Sequence, residues 1–237
     1  MKKQYFIYLL AVIFSGIIIS ACKKDAAPEV VVKPNYSMTE EFDSVINLYK
    51  KGWTFTNFSV PQGTGTWKQG VYAPGKFGPD GFAAFSYSAS GSEYVYADFN
   101  VGSGLSVCNT WIFTPALMMK NGDKFSFYTR SIGGTYPDRM QVRLNTDDNT
   151  DDVGTQNALS VGKFTKLFVD INSALQPSAS GGYSTTWTKY EFTISGLPNI
   201  AVPLPRRIGF RYYVTDGGPS GANSNAIGID LFKFESL

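Results

Sequence analysis

The chain is expected to be all-β, a jelly-roll-type antiparallel β-sandwich preceded by a signal peptide and a short flexible tether. Three observations predict this. Apolar residues alternate with polar ones at a period of two along several segments. Clusters of Gly, Pro, Asn and Asp separate those segments. No helical period extends beyond about three turns and no strand-helix-strand alternation is visible, which disfavours Rossmann and barrel enzymes.

Residues 1–21 read as an export signal. Lys2 and Lys3 open it, an apolar stretch runs from Tyr5 to Ile19, and the small pair Ser20-Ala21 precedes Cys22. The apolar run is about 15 residues, whereas a membrane-spanning helix needs about 20. Ile19-Ser20-Ala21-Cys22 resembles a lipobox, in which the cysteine thiol receives diacylglycerol and becomes the first residue of the mature chain. The expectation is a lipoprotein of the cell envelope, lipidated on Cys22. It would be anchored in the outer membrane by several acyl chains, where one would hold only marginally. Residues 22–36, with Lys23-Lys24-Asp25, Pro28 and Pro34, form the tether. The charges just after Cys22 are similar to those of lipoproteins sent to the cell surface, so surface exposure is expected.

Residues 37–237 form the sandwich domain. Phe42, Val45, Ile46 and Tyr49 lie at helical spacing, with Thr39 as N-cap and Gly52 as the terminating glycine, which predicts a short helix. Strands are predicted where Phe125 and Phe127, then Met140, Val142 and Leu144, then Tyr190, Phe192 and Ile194, then Ile208, Phe210, Tyr212 and Val214 alternate with polar neighbours. In the last segment Ile227, Ile229 and Leu231 share one parity while Phe232 and Phe234 take the other, which predicts a bulge or a strand covered on both faces.

Composition removes several functions. Without Lys2 and Lys3, 21 − 2 = 19 basic residues face 19 acidic ones, a balance that argues against nucleic acid as partner. The chain has no histidine, which excludes Ser-His-Asp, Cys-His and His-ligated zinc chemistry. Acylation of Cys22 leaves Cys108 as a lone thiol, read as a buried, inert small hydrophobe.

Several motifs occur in order: Glu41-Phe42-Asp43, Gly52-Trp53, Trp67-Lys68-Gln69-Gly70, Asn109-Thr110-Trp111, Tyr136-Pro137-Asp138-Arg139, Trp187-Thr188-Lys189-Tyr190, Arg207-Ile208-Gly209-Phe210, Gly221-Ala222-Asn223-Ser224 and Ile227-Gly228-Ile229-Asp230. Together they resemble the choice-of-anchor J domain, a family related to the cleaved-adhesin modules found beside surface proteases. The match runs over residues 40–235. It implies a jelly-roll sandwich with an accessory, surface-exposed role and brings no assigned catalytic residue. This chain departs from the family pattern in an extra polar residue before Trp111, within Cys108-Asn109-Thr110-Trp111, and in its lipid anchor.

Relatives with this sandwich often hold a structural Ca²⁺, an ion that needs six to eight hard oxygens. Glu41, Asp43 and Asp230 are the candidate ligands, since jelly rolls bring their two ends together. Asp147 to Gly154 is acidic but lacks the glycine and distal glutamate of a calcium loop, and reads as a solvated tip.

For a glycan, aromatic faces stack on sugars while polar neighbours fix orientation. Trp67, Tyr72, Tyr87, Tyr94, Tyr136, Tyr183 and Trp187 offer such rings; Trp53, Trp67 and Trp111 are assigned to the core, and Tyr136, Tyr183 and Trp187 are the ligand-binding candidates. Asp138, Glu191, Asp216 and Asp230 could supply a glycosidase pair, yet no spacing makes two converge, and Asp138 with Arg139 or Arg143 reads equally as an ion pair. The expected function is a non-catalytic, envelope-anchored domain binding an extracellular glycan or surface protein. The alternative is a structural component of an envelope assembly, with a carboxylate-dependent glycoside hydrolase least favoured.

Overall fold

The alternating segments become fourteen strands among the described residues: β1 (Met38–Glu40), β2 (Thr54–Asn57), β3 (Val60–Gln62), β4 (Lys68–Gln69), β5 (Val95–Asp98), β6 (Gly102–Phe113), β7 (Leu117–Met119), β8 (Lys124–Ser131), β9 (Met140–Leu144), β10 (Lys166–Ile171), β11 (Thr188–Thr193), β12 (Leu204–Arg206), β13 (Ile208–Gly217) and β14 (Ala226–Glu235). The computed structural model describes residues 34–74, 81–87, 90–155 and 157–237. The expected signal peptide, Cys22 and most of the expected tether lie outside them. Residues Asn35–Leu237 form one compact unit that contains the whole hydrophobic core.

Two antiparallel sheets make the sandwich, confirming the predicted class. The first runs β11-β8-β14-β5-β4, with β1 also on β14; the second runs β10-β9-β13-β6-β2, with β3 also on β6. One parity of each strand fills the space between. Phe125, Phe127, Ile227, Ile229, Phe232 and Phe234 from the first sheet meet Ile112, Met140, Val142, Phe210, Tyr212 and Val214 from the second. Rings cross edge to face there, Phe127 to Phe210 at 5.0 Å and Trp53 to Phe232 at 5.6 Å. Each such side chain, fully buried, contributes about 1.5–3 kcal/mol.

The parity switch in the last strand is a bulge. Pairing of β14 with β8 shifts between Asp230 and Lys233, and Leu231 takes φ 47°, so that Phe232 and Phe234 turn inward after Ile227 and Ile229. The predicted helix is instead a 3-10 turn over Val45–Lys51, with Ser44 rather than Thr39 at its N-cap and Gly52 at φ 86° after it. At three residues per turn, Val45 and Leu48 share the buried side, leaving Ile46 and Tyr49 exposed where a 3.6-residue period had placed them inward.

Both outer faces carry a second, smaller core. Phe82, Tyr94 and Tyr96 pack with Trp187 outside the first sheet, and Trp111, Phe113, Val153 and Phe164 pack outside the second. Loops are thereby held against both sheets. Trp53, Trp67 and Trp111 are all buried, as expected.

Candidate functional site

Three loops meet at one end of the sandwich and leave a cleft of about 590 Å³, lined by Phe99, Tyr136, Pro219, Ser220, Gly221 and Asn225 among others. Tyr136 is 52% exposed. Its ring therefore offers an apolar face beside a hydroxyl, an amide and backbone groups.

The cleft wall from 218 to 225 is built on close backbone approach. Gly218 sits at φ 81°, and a Cβ there would lie 2.4 Å from the Gly104 carbonyl oxygen. The Gly218 N–H donates to Ser224 Oγ at 2.8 Å, and the Ser220 N–H donates to the Gly104 carbonyl at 3.1 Å. The Asn225 side-chain amide donates to the Gly133 carbonyl at 2.8 Å, fastening this wall to the loop that carries Tyr136.

Asp138 fixes the base. It is 2% exposed and accepts hydrogen bonds from the Tyr212 hydroxyl at 2.6 Å, the Asn225 N–H at 2.8 Å and the Ala226 N–H at 3.3 Å. Burial pushes its carboxyl up to about 6, against the lowering effect of those donors. Asp138 makes no pair with Arg139 or Arg143; Arg139 reaches Asp170 instead, at 2.6 Å. Alternation along the chain explains this, because adjacent residues point to opposite faces of the sheet.

The other two ligand-binding candidates are not free surface groups. Tyr183 is 2% exposed; its hydroxyl shares a 2.7 Å hydrogen bond with Thr129 Oγ1 and lies 3.8 Å from Met140 Sδ. Burial raises its pKa well above the ordinary tyrosine value. Trp187 is half-buried, packed edge to face on Phe82 and Tyr94, with its indole N–H donating to the Ala83 carbonyl at 2.8 Å. Tyr94 is buried as well, whereas Tyr72 and Tyr87 are exposed but do not line the cleft. The residues missed from sequence are Phe99, Ser220 and Asn225. Ser220 and Asn225 flank the Gly221-Ala222-Asn223-Ser224 motif, which was the local signal for them, whereas Phe99 had none, and no strand periodicity joins these segments to Tyr136.

Of the calcium candidates, Asp230 and Glu41 are the two with buried carboxylate oxygens. Asp230 is fully buried, its Oδ2 accepting from the Phe85 and Ser86 N–H groups at 2.8 and 3.1 Å and its Oδ1 from the Leu231 N–H at 2.7 Å. Burial pushes its carboxyl up to about 7, and the negative charge of Glu41 adds to the rise. Glu41 Oε2 is buried without a hydrogen-bond partner. Asp43 stays exposed, and no group of three or more acidic or cysteine side chains suited to a metal forms among the described residues. The three expected ligands therefore form no cluster by themselves, and Glu41 and Asp230, coupled through charge, would fit a hard cation only if loop carbonyls completed the shell.

The carboxylates weighed for hydrolysis lie on separate structures. Asp138 is a buried acceptor, Glu191 is an exposed partner of Lys189 at 2.7 Å on edge strand β11, Asp216 is exposed beyond the cleft wall, and Asp230 sits under the Phe85 loop. Cys108 is fully buried, and burial pushes its thiol up to about 11, a pKa that keeps it protonated.

No protein family and no curated protein matches this sequence. Solved structures similar to it include the K1 cleaved adhesin domain of Lys-gingipain from Porphyromonas gingivalis W83. That likeness is at 17% identity over 85% of this chain and 98% of that one, with a TM-score of 0.49. The CBM22-1 xylan-binding domain from Paenibacillus barcinonensis Xyn10C shares 12% identity over 85% and 94%, with a TM-score of 0.40. The family 11 carbohydrate-binding module from Clostridium thermocellum, in complex with a mixed-linked tetrasaccharide, shares 12% over 87% and 98%, with a TM-score of 0.39. At TM-scores below 0.5 these likenesses carry no ligand or role across to this chain.

Proposed function

We propose that this is an envelope-anchored lipoprotein of choice-of-anchor J type, whose domain is a non-catalytic module that binds an extracellular glycan in the Tyr136 cleft. The observation that carries the reading is an exposed aromatic ring at the mouth of a 590 Å³ cleft whose walls are held rigidly by Asp138 and Asn225. Rigid walls lower the ordering cost of binding. The lipid on Cys22 would hold the domain at the outer membrane, with the tether giving it reach toward the exterior.

A structural Ca²⁺ between Glu41 and Asp230 is part of the proposal. A buried carboxylate oxygen without a partner, whose charge acts on a second buried carboxyl, is an arrangement that a divalent cation would neutralise. A protein partner is the second reading. It is favoured by the apolar groove of about 390 Å³ formed by Val45, Ile46, Tyr49 and Phe55, where Ile46 is 78% exposed.

The test is binding of the Asn35–Leu237 domain to a broad glycan array, in calcium and again in EDTA. Saturable, sugar-specific binding that is lost in Tyr136→Ala supports the cleft. Absence of binding in both buffers rejects the glycan reading in favour of a protein partner.

A further inference from the structure

Across the outer face of the second sheet, three guanidinium groups surround one carboxylate. Arg211 on β13 stands opposite Gln141 on β9, Gly209 stands opposite Arg143, and Asp170 on β10 stands opposite Gln141 from the other side. Arg139 lies one residue before β9, so Arg139, Gln141 and Arg143 share one parity on this face. These positions place the groups in one patch.

Asp170 is already engaged. Arg139 donates to both of its oxygens, at 2.7 and 2.6 Å, and Gln141 Nε2 donates to Oδ2 at 2.8 Å. Arg143 and Arg211 have only neutral acceptors among the described residues. Arg143 donates to Gln141 Oε1 at 3.0 Å and to the Phe164 carbonyl at 3.3 Å. Arg211 donates to Asn109 Oδ1 at 2.7 Å, Gln141 Oε1 at 3.2 Å and the Ala158 carbonyl at 2.6 Å. Two positive charges are left without a carboxylate of their own.

Their setting is dry enough for that imbalance to matter. Arg211 is 2% exposed and lies over Tyr213 at 3.9 Å and Trp111 at 5.1 Å, while Arg139 lies over Tyr213 at 4.9 Å. Burial lowers the pKa of Arg211 to about 10 and lowers that of Arg143, where Asp170 opposes the fall and the charge of Arg139 adds to it. Partly buried like charges strain against each other, and an anion relieves both the repulsion and the lost hydration. The patch also opens outward: the side chains of Arg139 and Asp170 are 16% and 19% exposed, Arg143 is half-buried, and Arg143 Nη2 makes no hydrogen bond among the described residues.

We propose that this face binds an oxyanion, the carboxylate or sulfate of an acidic saccharide, gripped by Arg143 and oriented by the field of Arg139 and Arg211. Arg143 offers its Nη2 edge for a charge-assisted hydrogen bond to a planar or tetrahedral oxyanion, and its charge, unlike a lysine's, does not titrate away on partial burial. A phosphate polymer is disfavoured by the balance of 19 basic and 19 acidic residues outside the signal segment, which gives no extended basic field. The saccharide half of the proposal rests on the glycan reading above; the anion half stands without it.

The experiment titrates the Asn35–Leu237 domain with sodium sulfate, with glucuronate and galacturonate oligosaccharides, and with their neutral counterparts, at constant ionic strength, reading calorimetric heat and melting temperature. Saturable binding of the acidic sugars, weakened tenfold or more in Arg143→Gln and tightened in Asp170→Asn, is expected, because a charged hydrogen bond is lost in one and an internal competitor in the other. Arg143→Lys, which keeps the charge and folds with less risk, should bind with intermediate affinity. Binding of sulfate but of no acidic sugar would uphold the anion site and overturn its saccharide source. No saturable binding of any anion, or equal affinity in wild type and Arg143→Gln, overturns the proposal. Loss of binding to neutral glycans in Tyr136→Ala with acidic binding intact separates this site from the cleft.

Discussion

The Tyr212 hydroxyl donates a 2.6 Å hydrogen bond to Asp138 Oδ1, and through it the second sheet is tied to the loop that carries Tyr136. The same carboxylate receives the N–H groups of Asn225 and Ala226 at the start of β14, so it also holds the opposite wall of the cleft. Asp138 is a positioning residue for the site, acting through other groups.

Asp138 should make stability depend on pH. Burial raises its folded-state pKa to about 6 from an ordinary 3.8, so the folded state binds the proton more tightly than the unfolded chain. Its unfavourable contribution is absent below about pH 4, grows as pH rises to about 6, and is constant above. Wild type should therefore gain about 2 kcal/mol relative to Asp138→Asn as pH falls from 6 to 4. Urea unfolding of both proteins across that window measures it, and a constant difference would remove Asp138 as the source. Asp138→Ala, which strands the buried Tyr212 hydroxyl and Asn225 N–H, should cost about 1–3 kcal/mol for each donor.

Tyr136 and Tyr183 should behave oppositely on substitution. Tyr136 is 52% exposed, so Tyr136→Ala should change stability by less than about 0.5 kcal/mol while weakening glycan binding at least tenfold. Tyr183→Phe deletes a hydroxyl buried against Thr129, and should destabilise by about 1 kcal/mol with binding intact. Paired melting and array measurements decide this; unchanged binding in Tyr136→Ala would move the site elsewhere.

These two tyrosines also mark where sequence reading stops. Both follow a glycine pair, Gly133-Gly134 and Gly181-Gly182, so local turn chemistry treats them alike. What separates them is a slot formed by Thr129 on β8 and Met140 on β9, a contact over dozens of residues that no local pattern encodes. The strands themselves were legible because burial of one face imposes a period of two, and the bulge at Asp230 was legible because it breaks that period. The turn at Val45–Lys51 was misread by phase, since 3.0 and 3.6 residues per turn differ enough to exchange Leu48 for Ile46 within one turn. The arginines around Asp170 went unread because their meaning depends on which one takes the carboxylate.

Calcium should stabilise the domain if Glu41 and Asp230 share an ion. At a concentration 100 times the dissociation constant, binding adds about 2.7 kcal/mol. That corresponds to a rise of about 5–10 °C in melting temperature for a domain of this size. The rise should vanish in EDTA and in Glu41→Gln, while Asp43→Asn, altering an exposed residue, should retain it. Elemental analysis of the purified domain together with melting in both buffers checks the proposal. No metal and no shift would leave Glu41 Oε2 as a plain buried acceptor.

Anchoring should depend on one sulfur atom. If Cys22 carries the lipid, the mature chain begins there and gains the mass of its acyl groups, and it partitions with membranes although its own charge is balanced. Cys22→Ala removes the acceptor thiol, and the remaining basic residues give no field strong enough to replace it. The variant should accumulate as the unlipidated form and appear in the soluble fraction on detergent-free lysis. Cys108 cannot substitute, because its thiol is fully buried and its pKa is pushed up to about 11. Mass spectrometry of the intact chain, with fractionation of cells expressing each form, tests this. Membrane partition of an unlipidated Cys22→Ala chain would instead assign the anchor to the apolar stretch from Tyr5 to Ile19.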